Sequence, residues 1–120
     1  MNNNFGMYRL VYLECDAVEI SKKKELIGHL TDNLVMLRTR LDLTQAELAE
    51  MIGLSRHTLM AIENKQREMT WSTFLSLVLV FIKNEDTNKL LDVLEIYTDE
   101  LNGMLKGKCY KTEFADEISE

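Results

Sequence analysis

The most informative hydrogen-bonding side chains of this sequence lie close together near its middle. Arg56 supplies a planar fork of N–H donors, His57 donates or accepts, and Asn64 offers an amide. If the stretch is helical, these groups point to one side and the apolar residues Leu59 and Ile62 point to the other. Such a surface is suited to binding a hydrogen-bonding partner reversibly, without making or breaking covalent bonds.

No arrangement of residues indicates an enzyme or a metal site. The two histidines, His29 and His57, lack Cys, Asp or Glu partners at metal-ligand spacing. The sequence has no Gly-rich phosphate loop, and its acidic residues follow helix surfaces. Cys15 and Cys109 are far apart, and we expect reduced thiols rather than a disulfide or a metal site. We therefore expect a non-catalytic protein without a cofactor.

Two short helices joined by a tight turn are predicted to position the polar groups. Thr44 is suited to cap the first helix, and Glu47 stands three residues later, where a capping box requires it. Gly53 follows at the place where a helix ends in a left-handed residue. Ser55 can cap the second helix. Two helices joined in this way are the signature of a helix-turn-helix.

At these residues the chain resembles the Cro/phage-repressor (XRE) family of helix-turn-helix transcriptional regulators. The resemblance runs without gaps from about Leu34 to Phe74 and returns at Leu94 to Leu101. The residues that carry it at the family's spacing are Leu37-Arg38, Leu43-Thr44-Gln45, Glu47-Leu48-Ala49, Gly53-Leu54-Ser55-Arg56 and Ile62-Glu63-Asn64. It implies an all-α, lambda-repressor-like bundle of about five to six helices.

The resemblance also implies that the helix starting near Ser55 reads base edges in the major groove of double-stranded DNA. Arg56 matches the position of a base reader, and its fork can donate two hydrogen bonds to guanine. Gln45 and Asn64 match positions that touch phosphate. Lys65 replaces the usual glycine after this helix, so it must adopt a positive φ or reshape the turn. The residues expected at DNA are Gln45, Ser55, Arg56, His57, Thr58, Met60, Ala61, Asn64, Lys65 and Arg67.

An ion pair is implied by the same resemblance. Arg38, in the first helix of the domain, and Glu63, at the end of the reading helix, stand at positions that pair in the family. We expect the pair to fix the angle of the reading helix rather than to touch DNA. A partly buried pair is costly to break from one side, because the surviving charge is left uncompensated.

The charge of the chain is unevenly distributed. The net charge is −6, but residues 30–83 carry six basic and six acidic side chains, whereas residues 84–120 carry four and ten. A neutral domain binds nonspecific DNA only modestly, because it neutralises few phosphates. The longest apolar run, Leu77 to Ile82, is far shorter than the ~20 residues of a membrane-spanning helix. No signal peptide is recognised, and we expect a soluble, cytoplasmic protein without membrane contact.

The chain is predicted to contain four parts: an N-terminal arm and lead-in helix (1–29), a helix-turn-helix core (30–83), additional helices (84–106) and an acidic flexible tail (107–120).

The secondary structure of three segments is less clear from the sequence. Side chains alternate along residues 5–20 in a way that permits a strand, but the spacing of the apolar side chains also permits a helix. A short strand or extended arm is favoured. In the helix predicted after this segment, Asp32 either acts as a cap that interrupts the helix, or the helix continues through it to Leu41. The stripe from Trp71 to Ile82 is core or, less favoured, a ligand pocket.

An extra helix is predicted over Lys83–Val93, capped by Asp86 or Thr87. Together with the helix after it, this segment carries more leucines than a minimal domain needs: Leu90, Leu91, Leu94, Leu101 and Leu105. These leucines either face a second subunit in a homodimer or fold back on their own domain. The segment from Phe5 to Leu13 is the other candidate surface for a homodimer.

Two functions therefore remain open. The polar face around Arg56 favours a sequence-specific repressor that binds a palindrome as a homodimer. The acidic C-terminal region and the absence of a basic excess favour a protein-interaction module, such as an adaptor, antirepressor or antitoxin.

Overall fold

The computed structural model describes residues 3–106, and the side chains of residues 19–106. Six helices and no strand occur in this part of the chain. They are α1 (Asn3–Arg40), α2 (Gln45–Ile52), α3 (Arg56–Glu63), α4 (Trp71–Lys83), α5 (Glu85–Val93) and α6 (Asp99–Leu105). The predicted all-α fold class is confirmed. The acidic tail predicted over residues 107–120 and the side chains of Cys15 and Cys109 lie outside the described residues.

Helix α1 is longer than the sequence predicted. It runs without interruption from Asn3 to Arg40, so the short strand or arm favoured for the N-terminal segment is wrong over residues 3–20. Asp32 lies inside this helix and caps nothing. Alternation over so few residues does not separate strand from helix. Residues 7–27 contain neither proline nor glycine, and a helix once begun extends readily through such a segment.

The chain divides into two compact units, one of which is Glu25–Tyr97. Its core is built from aliphatic and aromatic side chains at helical spacing. The largest fully buried ones are Leu26, Leu30, Leu34, Leu37, Leu48, Leu59, Ile62, Phe74, Leu77, Phe81, Leu91 and Ile96. The stripe on α4 is therefore core, and Trp71 stacks on Phe74 with ring centroids 4.7 Å apart. The predicted four-part division of the chain stays a prediction.

Among the described residues, the other unit contains residues 3–24 and residues 98–106. Thr98 caps α6, and its hydroxyl accepts a hydrogen bond from the Leu101 N–H at 3.3 Å. The ammonium of Lys22 lies 3.9 Å from the Glu100 carboxylate. The backbone N–H at the start of α6, the Thr98 hydroxyl and the charge of Lys22 lower the pKa of Glu100. Within residues 3–106, no helix combines the length and apolar content that crossing a membrane requires.

Four helices of the larger unit end in a left-handed residue, and only one of those residues is glycine. Gly53 closes α2 with φ 79°, as predicted, whereas Asp42, Lys65 and Glu95 have φ of 56°, 62° and 58°. After each, the next N–H bonds to a carbonyl near the helix end, at distances of 2.8 to 3.3 Å. This pattern satisfies carbonyls that a helix end otherwise leaves exposed. For a residue with a side chain, this left-handed conformation is less favourable than the right-handed one by about 1–2 kcal/mol.

Helix α5 confirms the extra helix expected after Lys83, but the predicted cap is wrong. Asn84, not Asp86 or Thr87, is the N-cap residue. Thr87 is instead buried, and its hydroxyl donates to the Phe81 carbonyl at 2.6 Å. This hydrogen bond ties α5 to the end of α4 across the tight turn.

Candidate nucleic-acid interface

The start of α2 is held by a complete capping box. The Thr44 hydroxyl accepts from the Glu47 N–H at 3.1 Å, and the Thr44 N–H donates to the Glu47 carboxylate at 2.8 Å. The hydrogen bonds from the Thr44 backbone and hydroxyl lower the pKa of Glu47. Gly53 ends the helix, and the Leu54 N–H bonds to the Ala49 carbonyl at 2.9 Å. The predicted boundaries of α2 are confirmed, and they fix where the turn into α3 begins.

Helix α3 starts at a second side-chain cap. The Ser55 hydroxyl accepts from the Thr58 N–H at 3.1 Å and donates to the Thr58 hydroxyl at 2.9 Å. The predicted cap is confirmed, and Thr58 is thereby held against the start of the helix. The first N–H groups of a helix have no partner within it, and they attract anions. The N-terminus of α3 is therefore suited to a phosphate.

The two faces of α3 differ in polarity, as the sequence predicted. Leu59 and Ile62 are buried in the domain core. The opposite face runs along the helix through Arg56, His57, Met60, Ala61 and Asn64, of which Met60 and Ala61 are half-buried and the others exposed. A charged fork and an imidazole thus lie at the N-terminal end, small and apolar groups in the middle, and an amide at the C-terminal end.

Behind this face, a buried ion pair fixes the end of α3. Arg38 donates to both oxygens of Glu63, with distances of 2.7 Å from Nε and 3.2 Å from Nη2. The side chains are 13% and 2% exposed. Arg38 also donates from Nη1 to the Leu43 carbonyl at 2.9 Å. The predicted pair is confirmed, and it joins α1, the segment before α2 and the end of α3.

Gln45 belongs to the same network, which the sequence did not predict. Its amide nitrogen donates to Glu63 at 2.8 Å, so one of its two N–H groups is used inside the protein. Only the other remains for the predicted phosphate contact. The two residues are 18 positions apart, and no spacing rule connects the first residue of one helix to the last of another.

Lys65 and Arg67 follow α3 and are exposed. Of the two alternatives predicted for Lys65, a positive φ or a reshaped turn, the structure shows the positive φ. The Lys65 ammonium lies 2.9 Å from the carboxylate of Asp32 on α1, with side chains 63% and 62% exposed. The sequence does not predict this partner, because no local rule connects a residue within α1 to one that follows α3. Among residues 19–106, no group of three or more His, Cys, Asp and Glu side chains is arranged to hold a metal ion.

The comparisons with known proteins single out the same part of the chain. A family model described as helix-turn-helix matches residues 34–78, from the second half of α1 to the middle of α4. The match includes α2, α3 and the loop after them, and covers less than half of the chain. No curated protein and no solved structure matches the sequence.

Proposed function

Residues 34–78 are a helix-turn-helix domain of the Cro/C1 type (XRE family), a family of DNA-binding regulators, and on this premise we propose that the chain is a sequence-specific transcriptional repressor. The observation that supports it best is the outward face of α3, where Arg56 and His57 are exposed at the N-terminal end. A reading helix contacts base edges with its N-terminal residues. The strongest donors of α3 therefore stand where they would meet the bases.

The residues of the interface have distinct proposed roles. Arg56 donates two hydrogen bonds to O6 and N7 of a guanine, which discriminates against other bases by about 1–3 kcal/mol. His57 reads a neighbouring base, and Ala61 offers its methyl group to a thymine. Thr58 and Met60 line the groove alongside them. The phosphate contacts come from Gln45, Ser55, Asn64, Lys65 and Arg67.

We propose that the repressor binds a palindrome as a homodimer. One helix-turn-helix covers little of the groove, and such proteins commonly place two copies on half-sites about 34 Å apart. Leu91 and Leu101 are fully buried and belong to the protein's own core. Leu90 and Leu94 are half-buried, and Leu105 is exposed, so these three are the predicted leucines still available to a second subunit. We also propose a cytoplasmic location for the repressor.

A second function is favoured by the charge distribution. The acidic surplus of the chain lies entirely in residues 84–120, outside the matched segment. A protein-interaction module, acting as an adaptor, antirepressor or antitoxin through this acidic region, would use the helix-turn-helix only as a scaffold. The two proposals differ in whether the outward face of α3 is needed for binding.

A selection from random duplexes tests the proposed function. The full-length chain is mixed with a library of random double-stranded fragments and an excess of nonspecific competitor, and the retained fragments are sequenced. We expect enrichment of a palindrome whose half-site centres are about 10 base pairs apart. A parallel selection with Arg56→Ala controls for retention unrelated to α3. Fragments without any shared sequence would contradict the proposal and favour the interaction module.

A further inference from the structure

Asp32 places a carboxylate beside a lysine that the proposed function assigns to DNA. Its Oδ1 lies 2.9 Å from Nζ of Lys65, which directly follows the Asn64 cap of α3. Asp32 itself lies on α1, upstream of the matched segment. Both side chains are mostly exposed, so a phosphate that reached Lys65 would also meet Asp32.

The position of Lys65 does not depend on this ion pair. The Lys65 N–H bonds to the Ile62 carbonyl at 3.0 Å, and the Gln66 N–H bonds to the Ala61 carbonyl at 2.9 Å. These backbone bonds fix the left-handed turn at Lys65. The connection between α1 and the end of α3 is already made by the buried pair of Arg38 and Glu63. An exposed pair adds little to stability, so a structural need does not explain Asp32.

We propose that Asp32 limits nonspecific DNA binding by competing with DNA phosphate for Lys65. This inference rests on the proposed function. The Asp32 carboxylate pairs with the Lys65 ammonium and repels an approaching phosphate. It therefore lowers the number of DNA phosphates that the domain neutralises. Nonspecific binding depends almost wholly on that number, whereas specific binding also depends on base contacts. Asp32 therefore weakens the electrostatic attraction that supplies almost all of the affinity for nonspecific DNA.

The substitution Asp32→Asn tests this role, because it removes the charge and preserves the shape. Binding is measured by fluorescence anisotropy on a selected duplex and on a scrambled duplex of equal length, at several salt concentrations. We expect Asp32→Asn to bind the scrambled duplex about 3- to 10-fold more tightly at moderate salt. The plot of log K against log salt should also steepen, by up to about 0.9 for each subunit.

Two matched variants show whether the effect passes through Lys65. Asp92→Asn removes the same charge from an exposed position on α5, and it should leave the affinity and the salt slope almost unchanged. The double variant Asp32→Asn/Lys65→Met should lose most of the gain. Circular dichroism of every variant checks that the fold is retained.

The outcomes separate the inference from the proposed function. If the wild-type chain binds the selected duplex and Asp32→Asn binds the scrambled one no more tightly, the inference is wrong and the proposed function stands. An equal gain from Asp92→Asn, or a gain that persists without Lys65, also overturns it. If neither the wild-type chain nor Asp32→Asn binds any duplex, the proposed function fails and the inference fails with it.

Discussion

Two ion pairs connect α1 to the end of α3, and they differ in burial far more than in distance. The nitrogen–oxygen separation is 2.7 Å for Arg38 and Glu63 and 2.9 Å for Lys65 and Asp32. The first pair has side chains at most 13% exposed, and the second has side chains at least 62% exposed. Helix α1 provides the cation of one pair and the anion of the other. Similar geometry thus supports two different roles.

Burial decides the role because it decides what a broken pair leaves behind. Removing one partner of the buried pair leaves an uncompensated charge in the interior. Loss of Glu63 would leave Gln45, and the Nε and Nη2 donors of Arg38, without their acceptor. Removing one partner of the exposed pair leaves a charge that water solvates. We therefore interpret the buried pair as part of the scaffold of α3, and the exposed pair as a group that DNA can displace.

The largest expected effect follows from breaking the buried pair. Glu63→Ala should destabilise the domain by about 3–5 kcal/mol, because Arg38 stays buried without its partner. Chemical denaturation monitored by circular dichroism measures the loss. The double variant Arg38→Met/Glu63→Leu should be less destabilised than the sum of its single substitutions. Additive effects would contradict the coupling of the two residues.

A smaller effect of opposite sign is expected from the backbone of Lys65. Lys65→Gly should stabilise the domain by about 1 kcal/mol, because glycine adopts the positive φ without steric cost. This gain is only partly offset by the greater freedom of glycine in the unfolded chain. Lys65→Ala is the control, since it removes the same charge and keeps the Cβ. Thermal melts compare the two variants. Equal melting temperatures would mean that the left-handed turn is not strained.

Substitutions that break the exposed pair should change the stability of the domain less than Glu63→Ala or Lys65→Gly. Asp32→Asn and Lys65→Met should each shift the free energy of unfolding by no more than about 1 kcal/mol. The same denaturation experiment as for Glu63→Ala measures this shift. A loss as large as that of Glu63→Ala would remove the contrast between the two pairs.

The capping box of Thr44 and Glu47 is exposed, and its contribution to the stability of the domain depends on pH. The pKa of Glu47 is lowered in the folded protein by its hydrogen bonds with Thr44. Its contribution to stability is therefore full above the ordinary pKa of 4.5 and is lost as the pH falls through the lowered value. The difference in stability between the wild type and Glu47→Gln should shrink on acidification. Denaturation at a series of pH values tests this, and a difference that grows on acidification would contradict it.

The features that the sequence predicted correctly are mostly local. Thr44 and Ser55 each precede their helix by one residue, and a cap bonds within three residues of itself. The positive φ of Lys65 is one of the two alternatives that the replacement of a family glycine predicted. The pair of Arg38 and Glu63 came from the resemblance to a family, since no local rule connects residues so far apart in the sequence.

The features that were missed depend on tertiary structure or on helix length. Asp32 and Lys65 come together only because α1 packs beside the end of α3, and Gln45 reaches Glu63 only across the helix-turn-helix. The length of α1 was underestimated because the apolar pattern over residues 5–20 fits both the two-residue period of a strand and the 3.6-residue period of a helix. The contacts of the ten residues expected at DNA stay a prediction.

The central proposal, that α3 reads DNA, depends most directly on Arg56. The decisive measurement compares the affinities of the wild type, Arg56→Ala and Lys89→Ala for a duplex obtained by selection and for its single-base variants. Lys89→Ala removes the same charge from an exposed position on α5 and controls for net charge. We expect Arg56→Ala to lose about 5- to 150-fold in affinity for each half-site, and to lose its preference at one base pair. Lys89→Ala should retain both. Unchanged affinity and unchanged base preference in Arg56→Ala would contradict the proposal.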